Sequence, residues 1–173
     1  MYLYSAMADL TRLTGDEGLR EALLALWHNV TAKRMYITGG IGSQAHGERL
    51  TVDYDLPNDT AYAETCAAIG LVFWASRMLR LDPDAKYADV MERALYNGVL
   101  GGISLDGKRY FYVNPLEVHP RTAQFRYDMQ HVKSERVPWF GCACCPPNIA
   151  RLIASLDRYV YTVEDENVYC HLY

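Results

Sequence analysis

The residues most suited to chemistry are three cysteines within four positions, Cys142, Cys144 and Cys145. Adjacent cysteines rarely form a disulfide with each other, because that bond needs a larger Cα separation than neighbouring residues readily give. Two adjacent thiolates are instead well placed to bind one soft metal ion. Far upstream, Glu64 and Cys66 supply a carboxylate and a third thiolate. Together with Cys144 and Cys145 they would complete a four-ligand site of the type that zinc prefers.

Metal binding at these positions places a requirement on the local structure. Glu64 and Cys66 are two residues apart, and on a regular α-helix they would point to roughly opposite sides. Their segment must therefore be extended or form the first turn of a helix. The cysteine cluster precedes Pro146-Pro147, which favours a helix start, where the helix dipole stabilises thiolates. The sequence thus predicts that both halves of the site lie at helix N-termini.

Simpler interpretations of the same residues stay open at this point. Free cysteine is most often a small buried apolar residue, which suits Cys66 as well as metal binding does. Adjacent thiols before two prolines fill a core poorly, so this alternative is weaker for Cys144 and Cys145. Glu48, in a glycine-rich loop, is a candidate general acid/base, although a solvated surface glutamate is the simpler interpretation of composition alone. Tyr112 lies on a predicted strand and either lines a sugar-binding cleft or packs with its hydroxyl exposed.

The elements that must position these residues are mainly helical. Apolar residues at helical spacing predict helices over 1–13, 17–33, 63–81, 85–100 and 148–161. A strand is predicted over 109–113, and a short β-hairpin closes the chain after residue 159. Two long irregular segments, 36–59 and 117–141, connect these elements, and long structured loops are often functional. The fold class is therefore mainly α, with a short β-hairpin at the C-terminus.

The bulk composition excludes several classes of protein. Half of the 173 residues are apolar, which is enough to build a core, and the formal net charge of −4 argues against nucleic-acid binding. No segment is apolar and long enough to be a membrane span. The first residues lack the pattern of a signal peptide, so we expect a reducing, cytoplasmic location. In that setting clustered cysteines indicate metal binding or catalysis rather than disulfides.

Six short motifs, in this order along the chain, resemble the β-L-arabinofuranosidases of glycoside hydrolase family 127. The motifs are Tyr36–Ser43, Gly47-Glu48-Arg49, Tyr54–Asp59, Tyr62–Cys66, Tyr112–Glu117 and Cys144–Asn148. The resemblance implies an (α/α)6-barrel catalytic domain, a helical toroid, followed by β-sandwich domains. Such a barrel needs about twelve helices, and five are predicted. Residues 1–160 are therefore expected to form the C-terminal half of the barrel, and 161–173 the start of a truncated β-sandwich domain.

The resemblance also implies roles for individual residues in a retaining, zinc-dependent hydrolysis of β-L-arabinofuranosides. Glu64, Cys66, Cys144 and Cys145 would hold Zn²⁺, and Cys144 would also be the nucleophile. Glu48 would be the acid/base and Tyr112 a substrate contact. Cys142 is expected to be a bystander or to support the ligands from nearby, with competition for the metal as the alternative.

The expected partner is a carbohydrate substrate, with no nucleic acid or membrane, while the sequence leaves the oligomeric state open. The alternatives are the same scaffold acting on another plant cell-wall sugar, or a non-catalytic helical module with a structural zinc–thiolate site. A catalytic site requires the Glu48 carboxyl to face the Cys144 sulfur across about the width of a sugar.

Overall fold

The chain opens with two packed helices, α1 (Tyr2–Thr14) and α2 (Glu17–Lys33). In this computed structural model, which describes residues 1–173, Gly15 ends α1 in the left-handed conformation, with φ of 67°. The side chain of Asp16 then caps α2 by accepting a hydrogen bond from the backbone N–H of Leu19 at 2.9 Å. Both ends follow ordinary helix-capping chemistry, and the two predicted helices are confirmed.

The centre of the core is α3 (Thr65–Leu79), which contacts α1, α4 and α6. Thirteen of its fifteen residues are buried, as expected for a helix that is apolar on nearly every face. Trp74 in the middle of this helix meets Trp27 of α2 with ring centroids 4.8 Å apart and a T-shaped geometry. A helix held on all sides in this way is a rigid support for whatever its N-terminus presents.

The predicted helix over 85–100 begins as expected but changes its winding. The regular helix α4 covers Ala85–Arg93, followed by a π-helical turn at Ala94–Val99 and a 3₁₀ turn at Leu100–Gly102. Two close approaches coincide with the change. A Cβ on Gly39 would lie 2.8 Å from the backbone N of Ala94, and one on Gly98 would lie 2.8 Å from Cβ of Ala68. The wider turn thus sits where the loop after α2 and the helix α3 both press against this segment.

The second half of the chain contains shorter elements. These are α5 (Pro120–Ala123), a 3₁₀ turn at Tyr127–Met129, α6 (Cys145–Ile153) and α7 (Asp157–Val160), followed by β1 (Tyr161–Glu164) and β2 (Asn167–Cys170). The two strands form the antiparallel hairpin that the sequence predicts, with Tyr161 opposite Cys170. The helix predicted over 148–161 starts earlier and breaks after Ile153, because the chain turns before α7. No helix combines the length and the apolar character that crossing a membrane requires.

The prediction of a strand over 109–113 is wrong. Tyr110 forms single antiparallel bridges with Ile103 and Val137, and Val113 forms one with Glu64. Each partner segment therefore contributes one pairing, and no continuous ladder of hydrogen bonds develops. The segment is an extended connector that crosses three parts of the chain and joins them.

The packing at Gly39 yields a stability prediction. Gly39→Ala should destabilise the fold by about 3 kcal/mol, because the residue has φ of +83° and the added Cβ would press on backbone atoms of the π-helical turn. The measurement is urea unfolding. Gly107→Ala is the matched control, since Gly107 also has positive φ (+68°) but an added Cβ would meet no atom within 4 Å. Equal losses in the two variants would show that the contact at Ala94 does not matter.

Candidate active site

Both halves of the proposed metal site lie at helix N-termini, as the sequence predicts. Glu64 is the extended residue that precedes α3, with φ of −63° and ψ of 136°, and Cys66 lies in the first helical turn. Cys144 immediately precedes α6, and Cys145 is its first residue. The extended backbone at Glu64 allows its side chain and that of Cys66 to point the same way although they are only two residues apart.

The extended connector holds the Glu64 segment in position. Glu64 pairs with Val113, and the N–H of Thr65 donates to the carbonyl of Tyr112 at 2.9 Å. The side-chain amide of Asn114 donates to Oγ1 of Thr65 at 3.0 Å. These bonds fix Tyr112 beside the start of α3. The extended connector therefore holds the start of α3 and Tyr112 in fixed positions relative to each other.

The four side chains converge closely enough to hold one ion. The Sγ atoms of Cys66 and Cys145 are 3.6 Å apart, and those of Cys144 and Cys145 are 3.8 Å apart. Sγ of Cys144 lies 3.4 Å from Oε1 of Glu64, and the four ligand atoms all lie within 4.8 Å of one another. A tetrahedral zinc site with Zn–S bonds of about 2.3 Å requires sulfurs about 3.8 Å apart. The residues therefore fit zinc in both donor type and spacing.

The charges of the cluster also favour a cation. Burial raises the pKa of the Glu64 carboxyl and raises the pKa of the Cys144 thiol to about 12. The pKa of Cys145 is raised by its contact with Cys66 and by burial, whereas the pKa of Cys66 falls to about 7 because of the hydrogen bond with Cys145. Without a nearby positive charge, the Cys144 and Cys145 thiols stay protonated at neutral pH. A bound divalent cation would favour the ionised forms of all four groups.

The cluster forms part of the wall of an open cavity of about 940 Å³. Glu48, Tyr112 and Cys144 all line this cavity. Cys142 also lines it, but this exposed cysteine does not belong to the group of four converging ligands. The structure thus brings together every residue that the sequence assigned to the site, with Cys142 at its edge.

Three aromatic side chains, Tyr110, Tyr112 and Phe140, pack against the cysteines. Tyr110 is buried against Cys66 and Cys145, and its ring centroid lies 5.1 Å from that of Phe140. Tyr112 also packs on Phe140, at 5.5 Å, and its hydroxyl oxygen lies 3.2 Å from Sγ of Cys144. Tyr112 therefore has its ring in an apolar cluster and its hydroxyl at the thiol.

Glu48 reaches the cavity from a tight turn in the glycine-rich loop. Gly47 and Glu48 both have positive φ, of 77° and 48°, and the Glu48 side chain is exposed. Its Oε1 atom accepts a hydrogen bond from the hydroxyl of Tyr62 at 2.9 Å. The chemistry of single residues in the sequence does not point to Tyr62. Its partner Glu48 lies 14 positions away, so no local pattern links the two residues. The only signal in the sequence is the place of Tyr62 in the Tyr62–Cys66 motif.

The loop that carries Glu48 is tied to the end of α2 through Asp53. The Asp53 carboxylate accepts hydrogen bonds from Lys33 at 2.8 Å, Arg34 at 2.8 Å and Asn29 at 3.1 Å. Arg34 also donates to the backbone carbonyl of Thr51. A single carboxylate thus gathers three donors from one helix end and fixes the descending part of the loop.

Fold and site together define a helical domain with a candidate thiolate metal centre on the wall of a cavity. The family model described as the GH127 catalytic domain of β-L-arabinofuranosidase matches residues 4–158. A non-reducing end β-L-arabinofuranosidase of Bifidobacterium longum subsp. longum is 55% identical over 164 residues, which cover 95% of this chain and 25% of that protein. The chain belongs to glycoside hydrolase family 127.

Solved structures agree with this assignment. A GH127 β-L-arabinofuranosidase from Geobacillus stearothermophilus T6 superposes with a TM-score of 0.96 at 61% identity, over 99% of this chain and 27% of that one. Another GH127 β-arabinofuranosidase gives 0.89 at 49% identity, over 99% of this chain and 25% of that one. The chain spans about a quarter of the length of these relatives. The mainly α fold class is confirmed, whereas barrel closure and the boundary between 1–160 and 161–173 stay predictions.

The anchoring of the loop predicts a pH-dependent stability. Hydrogen bonds from Lys33 and Asn29 lower the pKa of Asp53 to about 2. Because the folded-state pKa is below the unfolded value of about 3.9, the stabilisation is present above that value and is lost as pH falls through about 2. Asp53→Asn should therefore be less stable than wild type above pH 4, with the difference shrinking toward pH 2. Thermal unfolding across pH measures this.

The control for this experiment is Asp89→Asn, because Asp89 is exposed on α4 and forms no ion pair. Its stability should follow that of wild type at every pH. A difference between Asp53→Asn and wild type that stays constant down to pH 2 would contradict the anchoring role of the Asp53 charge.

Proposed function

We propose that this chain carries the reacting residues of a retaining, zinc-dependent glycoside hydrolase that releases L-arabinofuranose from β-L-arabinofuranosides. The observation that carries the proposal is that Glu48 and Cys144 line one cavity, with Cys144 inside a four-ligand cluster. The names of the relatives support the sugar and the position of attack, since one is a non-reducing end β-L-arabinofuranosidase. A cavity of about 940 Å³ has room for a terminal sugar and part of its aglycone.

The metal ligands would be Glu64, Cys66, Cys144 and Cys145. The bound zinc would supply positive charge that keeps the Cys144 sulfur ionised at neutral pH, where the thiol alone, with a pKa of about 12, is protonated. All four ligands come from the protein, so the group that reacts is a ligand sulfur. The site resembles a structural zinc centre in its ligand count but places one thiolate against a substrate cavity.

Retaining hydrolysis needs two steps, which Cys144 and Glu48 would perform. In the first, the Cys144 sulfur bonds to the anomeric carbon while the bond from that carbon to the glycosidic oxygen breaks, and Glu48 gives its proton to that oxygen. In the second, Glu48 takes a proton from water as the water oxygen bonds to the anomeric carbon and the carbon–sulfur bond breaks. The thiolate and the protonated carboxyl are thereby restored.

Tyr112 would orient the reacting sulfur and contact the sugar. Its hydroxyl oxygen lies 3.2 Å from Sγ of Cys144, and its ring is fixed against Phe140. Burial raises the pKa of the Tyr112 hydroxyl, so it stays neutral. It accepts a hydrogen bond from the Cys144 thiol and would donate one to the sulfur once that sulfur is ionised. The hydroxyl is therefore a fixed donor at the edge of the cavity, available to the sulfur or to a sugar oxygen.

A second candidate function is a helical module with a purely structural zinc. The complete set of four protein ligands favours this alternative, because structural zinc sites are closed in the same way. The two proposals differ in what Cys144 and Glu48 are needed for. In a structural site, Cys144 would be needed for zinc binding and stability, whereas Glu48 would have no role.

Metal analysis tests the ligand set. We expect the full-length protein to contain one zinc per chain, and Cys66→Ser and Cys145→Ser each to weaken zinc binding by at least about a hundredfold. Competition with a chromogenic chelator measures the affinity. Cys170→Ser is the control, because Cys170 is an exposed cysteine on β2 outside the cluster. Unchanged zinc content in both ligand variants would refute the site.

Activity assays test the roles of the two reacting residues. On an aryl β-L-arabinofuranoside, Cys144→Ser should lower kcat/KM by about four orders of magnitude, because the nucleophile is lost. Glu48→Gln should lower it by about two to four orders, the usual range for a general acid/base. Retention of zinc in Glu48→Gln would show that the loss is catalytic. Wild-type turnover in both variants would contradict the mechanism and favour the structural module.

Other aryl glycosides of plant cell-wall sugars identify the substrate in the same assay. A higher kcat/KM on one of these than on the β-L-arabinofuranoside would assign the scaffold to that sugar.

A further inference from the structure

We propose that Tyr62 is the positioning residue for Glu48, and that its hydrogen bond assigns proton transfer to one of the two carboxyl oxygens, Oε2. This inference rests on the proposed function, because it describes how the acid/base of that reaction is held. It begins from the side-chain hydrogen bond that the Glu48 carboxyl makes, in which the Tyr62 hydroxyl donates to Oε1 at 2.9 Å.

Glu48 needs a partner to hold its carboxyl in place, because few neighbouring atoms pack against its side chain. The residue lies in a tight turn with positive φ, and its side chain is exposed rather than packed. An exposed glutamate side chain has several free torsions, and acid/base catalysis requires the carboxyl to stay within hydrogen-bonding reach of the glycosidic oxygen. The bond to Tyr62 removes most of that freedom.

Tyr62, in contrast, is held firmly. The residue is only 9% exposed, and its ring centroid lies 6.2 Å from that of Tyr112 and 5.8 Å from that of His131. Its backbone N–H donates to the carbonyl of Gly42 at 3.0 Å. A buried hydroxyl on a fixed ring is a rigid donor, so the position of Oε1 is set by the body of the domain.

The backbone next to Tyr62 links this donor to the metal cluster. Ala63 has a positive φ of 38°, an unusual conformation for a residue with a Cβ, and its N–H also donates to the carbonyl of Gly42 at 2.9 Å. The turn at Ala63 directs Tyr62 toward Glu48 and Glu64 toward the thiols. The spacing between the acid/base and the nucleophile is thus carried by three consecutive residues.

The hydrogen bond also distinguishes the two carboxyl oxygens. When the Tyr62 hydroxyl donates to Oε1, that oxygen acts as an acceptor, and the acidic proton of the neutral carboxyl lies on Oε2. Oε2 then gives this proton to the glycosidic oxygen as the bond to the anomeric carbon breaks, and later takes one proton from the attacking water. Tyr62 keeps its own proton throughout and contacts no reacting atom.

The test compares Tyr62→Phe with wild type on two substrates in the full-length protein. A 4-nitrophenyl glycoside has a leaving group that needs little protonation, whereas a methyl glycoside depends on the general acid. We expect kcat on the methyl β-L-arabinofuranoside to fall by about tenfold more than on the 4-nitrophenyl compound, with KM changed less than twofold. Tyr87→Phe is the matched control, because it removes a buried hydroxyl that has no partner in the core; it should match wild type on both substrates.

A double variant separates positioning from a general effect on folding. If Tyr62 acts through Glu48, Tyr62→Phe should cost almost nothing further in a Glu48→Gln background. The same loss in both backgrounds, or an equal loss on both substrates, would overturn the inference. Glu48→Gln alone must show the leaving-group dependence. If it shows none, the acid/base assignment of the proposed function fails, and this inference fails with it.

Discussion

The rest of the site depends on the convergence of three thiols and one carboxylate into a space less than 5 Å across. These groups repel one another when ionised. Burial raises the pKa of Glu64 and Cys144, and the contact with Cys66 together with burial raises the pKa of Cys145. Such an arrangement is stable in its charged form only around a cation. In the proposed function, a cation held among these groups would keep the Cys144 sulfur ionised and therefore able to attack the sugar. The repulsion among these four groups therefore bears both on metal binding and on the reactivity of the sulfur in the proposed function.

The fold supplies the rigidity that this crowding demands. One half of the cluster stands at the start of α3, the most buried helix, and the other at the start of α6, which packs on it. The extended connector, anchored through Val113 and Asn114, closes the gap between them and delivers Tyr112. Glu48, the proposed acid/base, comes from a separate loop, which is fixed at one end by Asp53 and at its tip by Tyr62. The four-residue cluster and the loop that carries Glu48 therefore contribute to the wall of the same cavity.

The sequence predicted the helices with strong apolar periodicity and the four side chains that converge, because adjacent cysteines and helix-start signals are local patterns. It failed where neighbours decide the conformation. The strand expected near Tyr110 became a connector because its partners each offer a single bridge. The helix after Ala85 changed to a π-helical turn where Gly39 and Gly98 allow other segments to come close. Tyr62 was missed as a partner of Glu48 because only the folded path of the loop brings their side chains together.

The two halves of the ligand cluster are far apart along the chain, and this separation bears on how the protein folds. Cys66 and Cys145 are separated by 79 positions, and Glu64 and Cys144 by 80. Closing a loop of this length costs conformational entropy, so we expect these contacts to form after the helices between them. An ion held by all four side chains would thus bind tightly only to a nearly folded domain. Uptake of the proposed zinc would then be the last step of folding, and its binding energy would stabilise a structure that the chain has already assembled.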